Sequence, residues 1–204
     1  NDALIDLPST TRRNLELTRT LRGADSPTLF SLLDTCMSGM GSRLLKSWLL
    51  EPPRDRAPAQ ARLDAIATLR GPNGAGPWHR LREQLKGSSD VERITARIAL
   101  RQVRPRELVA LQQTLQKAEL LAPVLPAQTA LLVHISALLR PPADCMALLQ
   151  RAILEEPAAL VRDGGVIANG FDAELDELRA IQTNCDAFLL DLETRERARS
   201  GIAN

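Results

Sequence analysis

Aromatic side chains are scarce in this sequence, which contains two Trp, three Phe and no Tyr. Proteins that bind single-stranded nucleic acid stack bases on aromatic rings, so this composition argues against that class. β-Sandwiches and β-barrels need aromatic and β-branched residues, whereas the leucine, alanine and arginine that are frequent here favour helices. The shortage of aromatic residues therefore predicts a mainly α protein.

An excess of charge of one sign is also missing, because 26 Lys and Arg face 25 Asp and Glu in 204 residues. This balance argues against a large nucleic-acid or membrane surface. The N-terminus lacks the pattern of a signal peptide, and no apolar run approaches the ~20 residues of a membrane span. We therefore expect a cytoplasmic protein of one domain or two small ones, with no membrane partner.

Cysteine and histidine are too few and too scattered to indicate a metal site. Cys36, Cys145 and Cys185 lie far apart without a C-x-x-C pair, which predicts buried free thiols in a reducing compartment. His79 and His134 lie in different predicted helices, with no ligand at the spacing that zinc requires.

Catalytic motifs are absent as well. The sequence has no G-x-x-x-x-G-K-[ST] phosphate loop, and the glycines of residues 163–165 are not followed by the lysine of that motif. The adjacent carboxylates Glu155/Glu156 and Asp176/Glu177 diverge by about 100° on a helix, so neither pair is an acid–base couple. Serines 26, 38 and 42 have no G-x-S-x-G context. We assign no catalytic, metal, cofactor-binding or nucleic-acid-binding residue.

Residues 1–170 show the pattern of an antiparallel multi-helix core with short, Pro- and Gly-rich connections. Asp90 can cap one of these helices, and Pro105 opens the next. Residues 160–167 surround an Asp-Gly-Gly turn, which predicts one small β-hairpin, and the segment around Leu4 is its candidate partner strand.

Residues 171–204 are predicted to form a long C-terminal helix from about Asp172 to Ser200. Acidic residues crowd its start and arginines its end, as the helix dipole favours. At 1.5 Å per residue it would be roughly 40 Å long, a length typical of a helix that connects distant parts. Its apolar line is Leu175, Leu178, Ile181, Cys185, Phe188 and Leu192.

An arginine stripe is the main cationic feature of the sequence. Arg93, Arg97, Arg101 and Arg104, with Arg106 nearby, have the spacing of one helical face. Such a row can follow a nucleic-acid backbone. The same row can also be a solvated face that pairs with Glu92 and Glu107, and the low net charge favours this interpretation.

Several runs, taken in order, resemble the core domain of the MutS family of DNA mismatch-repair proteins. These runs are residues 11–17 (TRRNLEL), 28–34 (TLFSLLD), 40–49 (MGSRLLKSWL), 90–94 (DVERI), 104–108 (RPREL), 161–167 (VRDGGVI), 175–179 (LDELR) and 193–202 (ETRERARSGI).

The resemblance implies a core and lever segment of a larger ATPase. In that family the lever helices carry a DNA clamp at their tips and a dimerising ATPase domain at their base. The sequence contains neither the family's Phe-x-Glu wedge nor its phosphate loop. The last run, residues 193–202, resembles the lever just before the family's clamp, so residues 171–204 are expected to be the start of a lever that leads to a clamp outside this chain. ATP, Mg²⁺, mismatched double-stranded DNA and a homodimer partner would then belong to the full-length protein, with no enzymatic activity in this segment.

Two other functions fit the residues. The chain could be a stand-alone helical module that binds a partner protein through an exposed apolar face. It could also be a small DNA-backbone binder that uses the arginine stripe.

Overall fold

The structure is a computed structural model that describes residues 3–200, except for the side chains of Asp186 and Phe188. It is mainly helical, which confirms the predicted class. The helices of the described residues are α1 Ser9–Asn14, α2 Leu29–Leu33, α3 Gly39–Leu50, α4 Ala57–Arg70, α5 Trp78–Leu85, α6 Val91–Ala99, α7 Pro105–Leu121, α8 Ala130–Leu138, α9 Ala143–Ala152 and α10 Ala173–Ser200. Short 3-10 helices lie between the α-helices, at Pro72–Gly74, Ala122–Val124 and Val161–Asp163.

Helix α7 lies at the centre of the packed part of the molecule, where it contacts α5, α6 and α9. Ile94 of α6, Leu111 of α7 and Leu149 of α9 form a buried apolar cluster. Each comes from a helix whose apolar residues recur at helical spacing, so one face of each helix turns inward. Burial of these faces, rather than helix propensity alone, stabilises these helices.

The predicted hairpin over residues 160–167 is wrong. Residues Val161–Asp163 form a 3-10 helix, and Ile167 instead makes an antiparallel bridge with Ile153, just after α9. This pairing leaves Val166 only 7 % exposed, whereas Val161 is 70 % exposed. A two-stranded hairpin is marginal in water, and pairing with the end of a packed helix buries more apolar surface.

The predicted partner of that hairpin is also placed elsewhere. Leu4 bridges Pro53, and the Ile5 N–H donates to the Pro52 carbonyl over 2.8 Å. The N-terminal segment therefore pairs with the chain that follows α3.

Residues 130–152 are long and apolar enough, by length and composition, to cross a membrane. The stretch is nevertheless divided into α8 and α9, with Pro141 and Pro142 between them. Each helix is about 14–15 Å long at 1.5 Å per residue, about half the thickness of a hydrocarbon core. Because α8 packs on α4 and α9 on α7, with Leu132 and Leu149 buried, the stretch is two packed helices of the core.

Candidate functional site

The base of α10 is built by polar groups that fix where this long helix begins. The Asp172 carboxylate accepts a hydrogen bond from the Leu175 N–H over 2.9 Å, which caps the helix. Glu174 and Asp176 follow in the first turn, where negative charge is favoured by the helix dipole. The predicted start at Asp172 is therefore confirmed.

Arg179 joins the base of α10 to the segment of residues 167–170. Its Nη1 donates to Asn169 Oδ1 over 3.0 Å, and its Nη2 donates to the Ile167 carbonyl over 3.0 Å. Its Nη1 also lies 3.2 Å from Asp176 Oδ1, and Asp176 Oδ2 accepts the Gly170 N–H over 2.7 Å. The planar guanidinium holds all these acceptors in one geometry, which an ammonium group could not do. We call these five residues the α10 anchor.

The segment that carries the anchor is joined in turn to the core. The Leu154 N–H donates to the Val166 carbonyl over 3.0 Å, and the Ala168 N–H donates to the Ala152 carbonyl over 2.9 Å. Because α9 packs on α7, the anchor is connected to the centre of the core through backbone hydrogen bonds and one helix.

Beyond Ala180, α10 leaves the rest of the molecule. Every described side chain from residue 181 to 200 is exposed. Ion pairs one turn apart follow the distal part, and their acidic partner is always N-terminal, the better orientation on a helix. They are Asp191–Arg195, Glu193–Arg197 and Glu196–Arg199.

Beyond Leu175, which is half-buried, the described residues of the predicted apolar line of α10 are exposed. Leu178 and Ile181 are 57 % and 56 % exposed, and Leu192 is also exposed. The side chain of Phe188, which was predicted to belong to the same patch, lies outside the described residues, as do residues 201–204 of the predicted lever. Exposed apolar residues at helical spacing indicate a surface on which other helices pack.

The predicted arginine stripe is wrong as a single helical face. Helix α6 ends at Ala99, so it carries only Arg93 and Arg97. Arg101 lies in the following turn with φ of 54°, and Arg104 is the N-cap residue of α7. The helical spacing continued through a break in the helix, which sequence periodicity cannot detect.

Two of these arginines pair with carboxylates. Arg93 Nε lies 3.4 Å from Asp90 Oδ2, and Arg97 Nε lies 3.2 Å from Glu107 Oε2. The structure thus favours the solvated, ion-paired interpretation for this part of the surface.

Arg43 of α3 joins the start of α6. Its Nη1 donates to Asp90 Oδ2 over 2.5 Å and its Nη2 to Asp90 Oδ1 over 2.9 Å, while Nη2 also pairs with Glu92. Hydrogen bonds from Arg43 hold the pKa of Asp90 below its ordinary value, and those from Asp90 and Glu92 raise the pKa of Arg43. Asp90 also accepts the Arg93 N–H, so one carboxylate both caps α6 and ties it to α3. Its predicted capping role is confirmed.

The remaining candidate residues are dispersed. His79 is exposed beside the ring of Trp78, and His134 is exposed on α8. Within residues 3–200, no three His, Cys, Asp or Glu residues are grouped as a metal would require. The cysteines are free as predicted, but Cys36 and Cys185 are exposed rather than buried.

The two arginines that matter most here were missed by the sequence reasoning. Arg43 and Arg179 both lie in runs that resemble the MutS family, residues 40–49 and 175–179. Their partners are 47 residues away for Asp90 and 12 residues away for Ile167. No local spacing rule predicts such contacts. For Arg179, the only signal in the sequence was the group of acidic residues at the start of α10.

One comparison bears on this arrangement of core, anchor and long helix. A family model described as MutS domain III matches residues 10–202, which include every described helix except the first residue of α1. The match confirms the resemblance of the sequence to the MutS family. Domain III is the core and lever domain of that family rather than its ATPase domain.

Proposed function

The chain belongs to the MutS domain III family and is a segment of a MutS-like mismatch-repair protein. We propose that it transmits changes in position between a DNA clamp and an ATPase domain. In this proposal α10 is the lever, the clamp lies at its far end, and residues 1–170 are the body on which it rests. ATP and Mg²⁺ are held by another domain of the full-length protein, which acts on mismatched duplex DNA as a homodimer in the cytoplasm.

The observation that carries the proposal is the contrast within α10 between its fixed base, residues 172–180, and its exposed shaft, residues 181–200. A helix of 28 residues is about 42 Å long, so a small rotation at its base becomes a large displacement at its tip. The α10 anchor ties the first two turns to residues 167–170, a segment that backbone hydrogen bonds hold at the end of α9. Movement of the core then displaces the shaft, and movement of the shaft displaces the core.

The exposed apolar line supports the same role. Leu178 and Ile181 are more than half exposed in the described chain, and in the proposal they are covered by lever helices that return from the clamp. A bundle of helices is stiffer than a single one, as transmission over this distance requires. Self-association of this chain through the same line remains a prediction, which sedimentation at high concentration tests.

The test is a break in the shaft of the full-length protein. Ala187→Pro removes a backbone hydrogen bond and clashes with the preceding turn, which kinks the helix at a cost of about 3 kcal/mol. We expect ATP binding to persist while mismatched DNA loses its effect on ATP turnover. Ala187→Gly is the matched control, because it weakens the helix by only about 1 kcal/mol and introduces no clash.

The measurement is ATP turnover with and without mismatched duplex, on variants whose folding is verified by circular dichroism. Retention of the full DNA effect by Ala187→Pro would reduce α10 to a scaffold and refute the lever. Equal loss in both variants would show that helix stability, rather than continuity, controls the response.

A further inference from the structure

A cationic cavity lies at the opposite end of the chain from α10. Its volume is about 500 Å³, and it is bounded by α1, by the loop of residues 18–23 and by Leu50 at the end of α3. Four arginines line it, at positions 12, 13, 19 and 22, and none of the described residues that line it is acidic. Like charges at such close quarters repel, so this concentration of guanidinium groups favours an anion.

Two of the guanidinium groups are oriented by backbone carbonyls instead of carboxylates. Arg12 Nε donates to the Leu7 carbonyl over 2.8 Å, and Arg13 Nη2 donates to the Leu21 carbonyl over 3.3 Å. These bonds fix the side chains without neutralising their charge, and they leave other N–H donors of each fork for a ligand. A site that is already ordered loses less entropy when it binds.

The acidic residues near this loop are either hydrogen-bonded to its backbone or highly exposed to solvent. Glu16 Oε1 accepts the Leu21 N–H over 2.7 Å, so it serves the fold of the loop. Asp25 lies 3.8 Å from Arg19, but both side chains are more than 70 % exposed, which makes this a weak surface pair.

We propose that this cavity binds a phosphoryl oxyanion through Arg12, Arg13 and Arg22. Phosphate suits the site because each guanidinium fork matches two of its oxygens, and because a multivalent anion offsets several positive charges at once. Thr20 Oγ1 accepts the Ala24 N–H, so its own hydroxyl proton can be donated to the ligand. The volume exceeds that of one carboxylate and accommodates a diphosphate group. The proposal is independent of the role of α10.

The test is calorimetric titration of the whole chain with pyrophosphate in a phosphate-free buffer of low salt. We expect saturable binding at one site, weakened about tenfold by Arg22→Gln or Arg13→Gln. Arg13→Lys keeps the charge but loses the fork, so its affinity should lie between those of the wild type and Arg13→Gln. Arg22→Gln is the safer variant for folding, since the Arg22 side chain is exposed.

Arg140→Gln is the matched control. It removes the same charge from an exposed position between α8 and α9, away from the cavity, and its affinity should stay within about twofold of the wild type. Absence of saturable binding, or an equal loss in Arg140→Gln, would overturn the proposal, because the effect would then be general electrostatics.

A second titration identifies the source of the phosphoryl group. A fluorescent matched duplex is bound to the chain, and pyrophosphate is added as competitor. Displacement of the duplex, together with weaker duplex binding by Arg22→Gln, supports a DNA backbone phosphate as the ligand. If pyrophosphate binds in the first experiment but leaves the duplex in place, the ligand is a free phosphate compound.

Discussion

Leu111 of α7 and Leu189 of α10 are both leucines in helices, yet Leu111 is 4 % exposed and Leu189 is 56 % exposed. The core helices α6, α7 and α9 are each shorter than α10 and meet in one apolar cluster. The shaft of α10 is long and, in the described residues, is stabilised by its own backbone and by ion pairs one turn apart.

This difference shows that the two regions are helical for different reasons. Tertiary burial stabilises the core helices, so a change in one of them is felt by the whole domain. The shaft depends on local interactions, so a change there affects the helix and leaves the core intact. The proposed lever requires this division, because its shaft must bear force without unfolding the body that holds it.

The largest expected effect is the contrast between Leu111→Ala and Leu189→Ala. The first leaves a cavity in the core and should lower the free energy of unfolding by about 2–5 kcal/mol. The second removes exposed surface and should change it by no more than about 0.5 kcal/mol. Denaturant unfolding followed by circular dichroism measures both. Similar losses in the two variants would mean that the shaft packs on the core in solution.

A smaller effect is expected at the contact between α3 and α6. Asp90→Ala removes the N-cap of α6 and the partner of Arg43, and should cost about 1–2 kcal/mol. Asp90→Asn keeps a capping oxygen and loses only the charge, so its cost should be lower. The same unfolding measurement applies, and equal costs would show that the ion pair, not the cap, stabilises this junction.

The pH dependence of stability follows from the same carboxylate. The Asp90 pKa lies below 3.8 in the folded chain, mainly because Arg43 donates hydrogen bonds to it. The unfolded chain therefore binds more protons between the folded value and 3.8, and stability rises with pH in this window. The contribution is present above pH 3.8 and is lost as pH falls through the folded pKa.

The pKa of Asp34 is also lowered, so Asp34 likewise makes the folded chain less stable in acid. Burial raises its pKa, but hydrogen bonds from Ser42 and Cys36 outweigh burial and lower it. We therefore expect Asp90→Asn to reduce, but not abolish, the loss of stability in acid. Unfolding midpoints measured between about pH 6 and pH 2 test this, and an unchanged pH profile in Asp90→Asn would contradict it.

The smallest effect is expected within the shaft. Glu193→Gln removes the charge of the pair with Arg197 and should reduce the helicity of α10 slightly, by about 0.2–0.5 kcal/mol. Far-ultraviolet circular dichroism at low and high salt measures the change. A shift in the unfolding midpoint of the core would contradict the separation of the two regions.

The elements that could be predicted from the sequence are those with a local cause. The start of α10 at Asp172 and the cap at Asp90 follow from side chains within four residues of the backbone groups they bind. The hairpin failed because burial of Val166, not turn chemistry, selects the pairing partner. The arginine stripe failed because helical spacing continued across the turn at Arg101.

The site was predictable only in outline. The length and polarity of α10 predicted a helix that connects distant parts, and the resemblance to the MutS family implied that this helix is a lever. The family match is consistent with that interpretation. The α10 anchor depends on where the backbone of residues 167–170 lies, which is set by its pairing with the end of α9. Such contacts arise from tertiary packing, and no periodicity in the sequence encodes them.

The central claim, that movement passes between the core and α10 through the α10 anchor, is tested most directly by Arg179→Gln in the full-length protein. The control is Arg195→Gln, which makes the same change on the same helix but far from the anchor. The measurement is ATP turnover with and without mismatched duplex, on variants with unchanged thermal unfolding. The account predicts that Arg179→Gln keeps its basal turnover and loses most of the DNA effect, while Arg195→Gln retains that effect. A full DNA effect in Arg179→Gln would contradict the account.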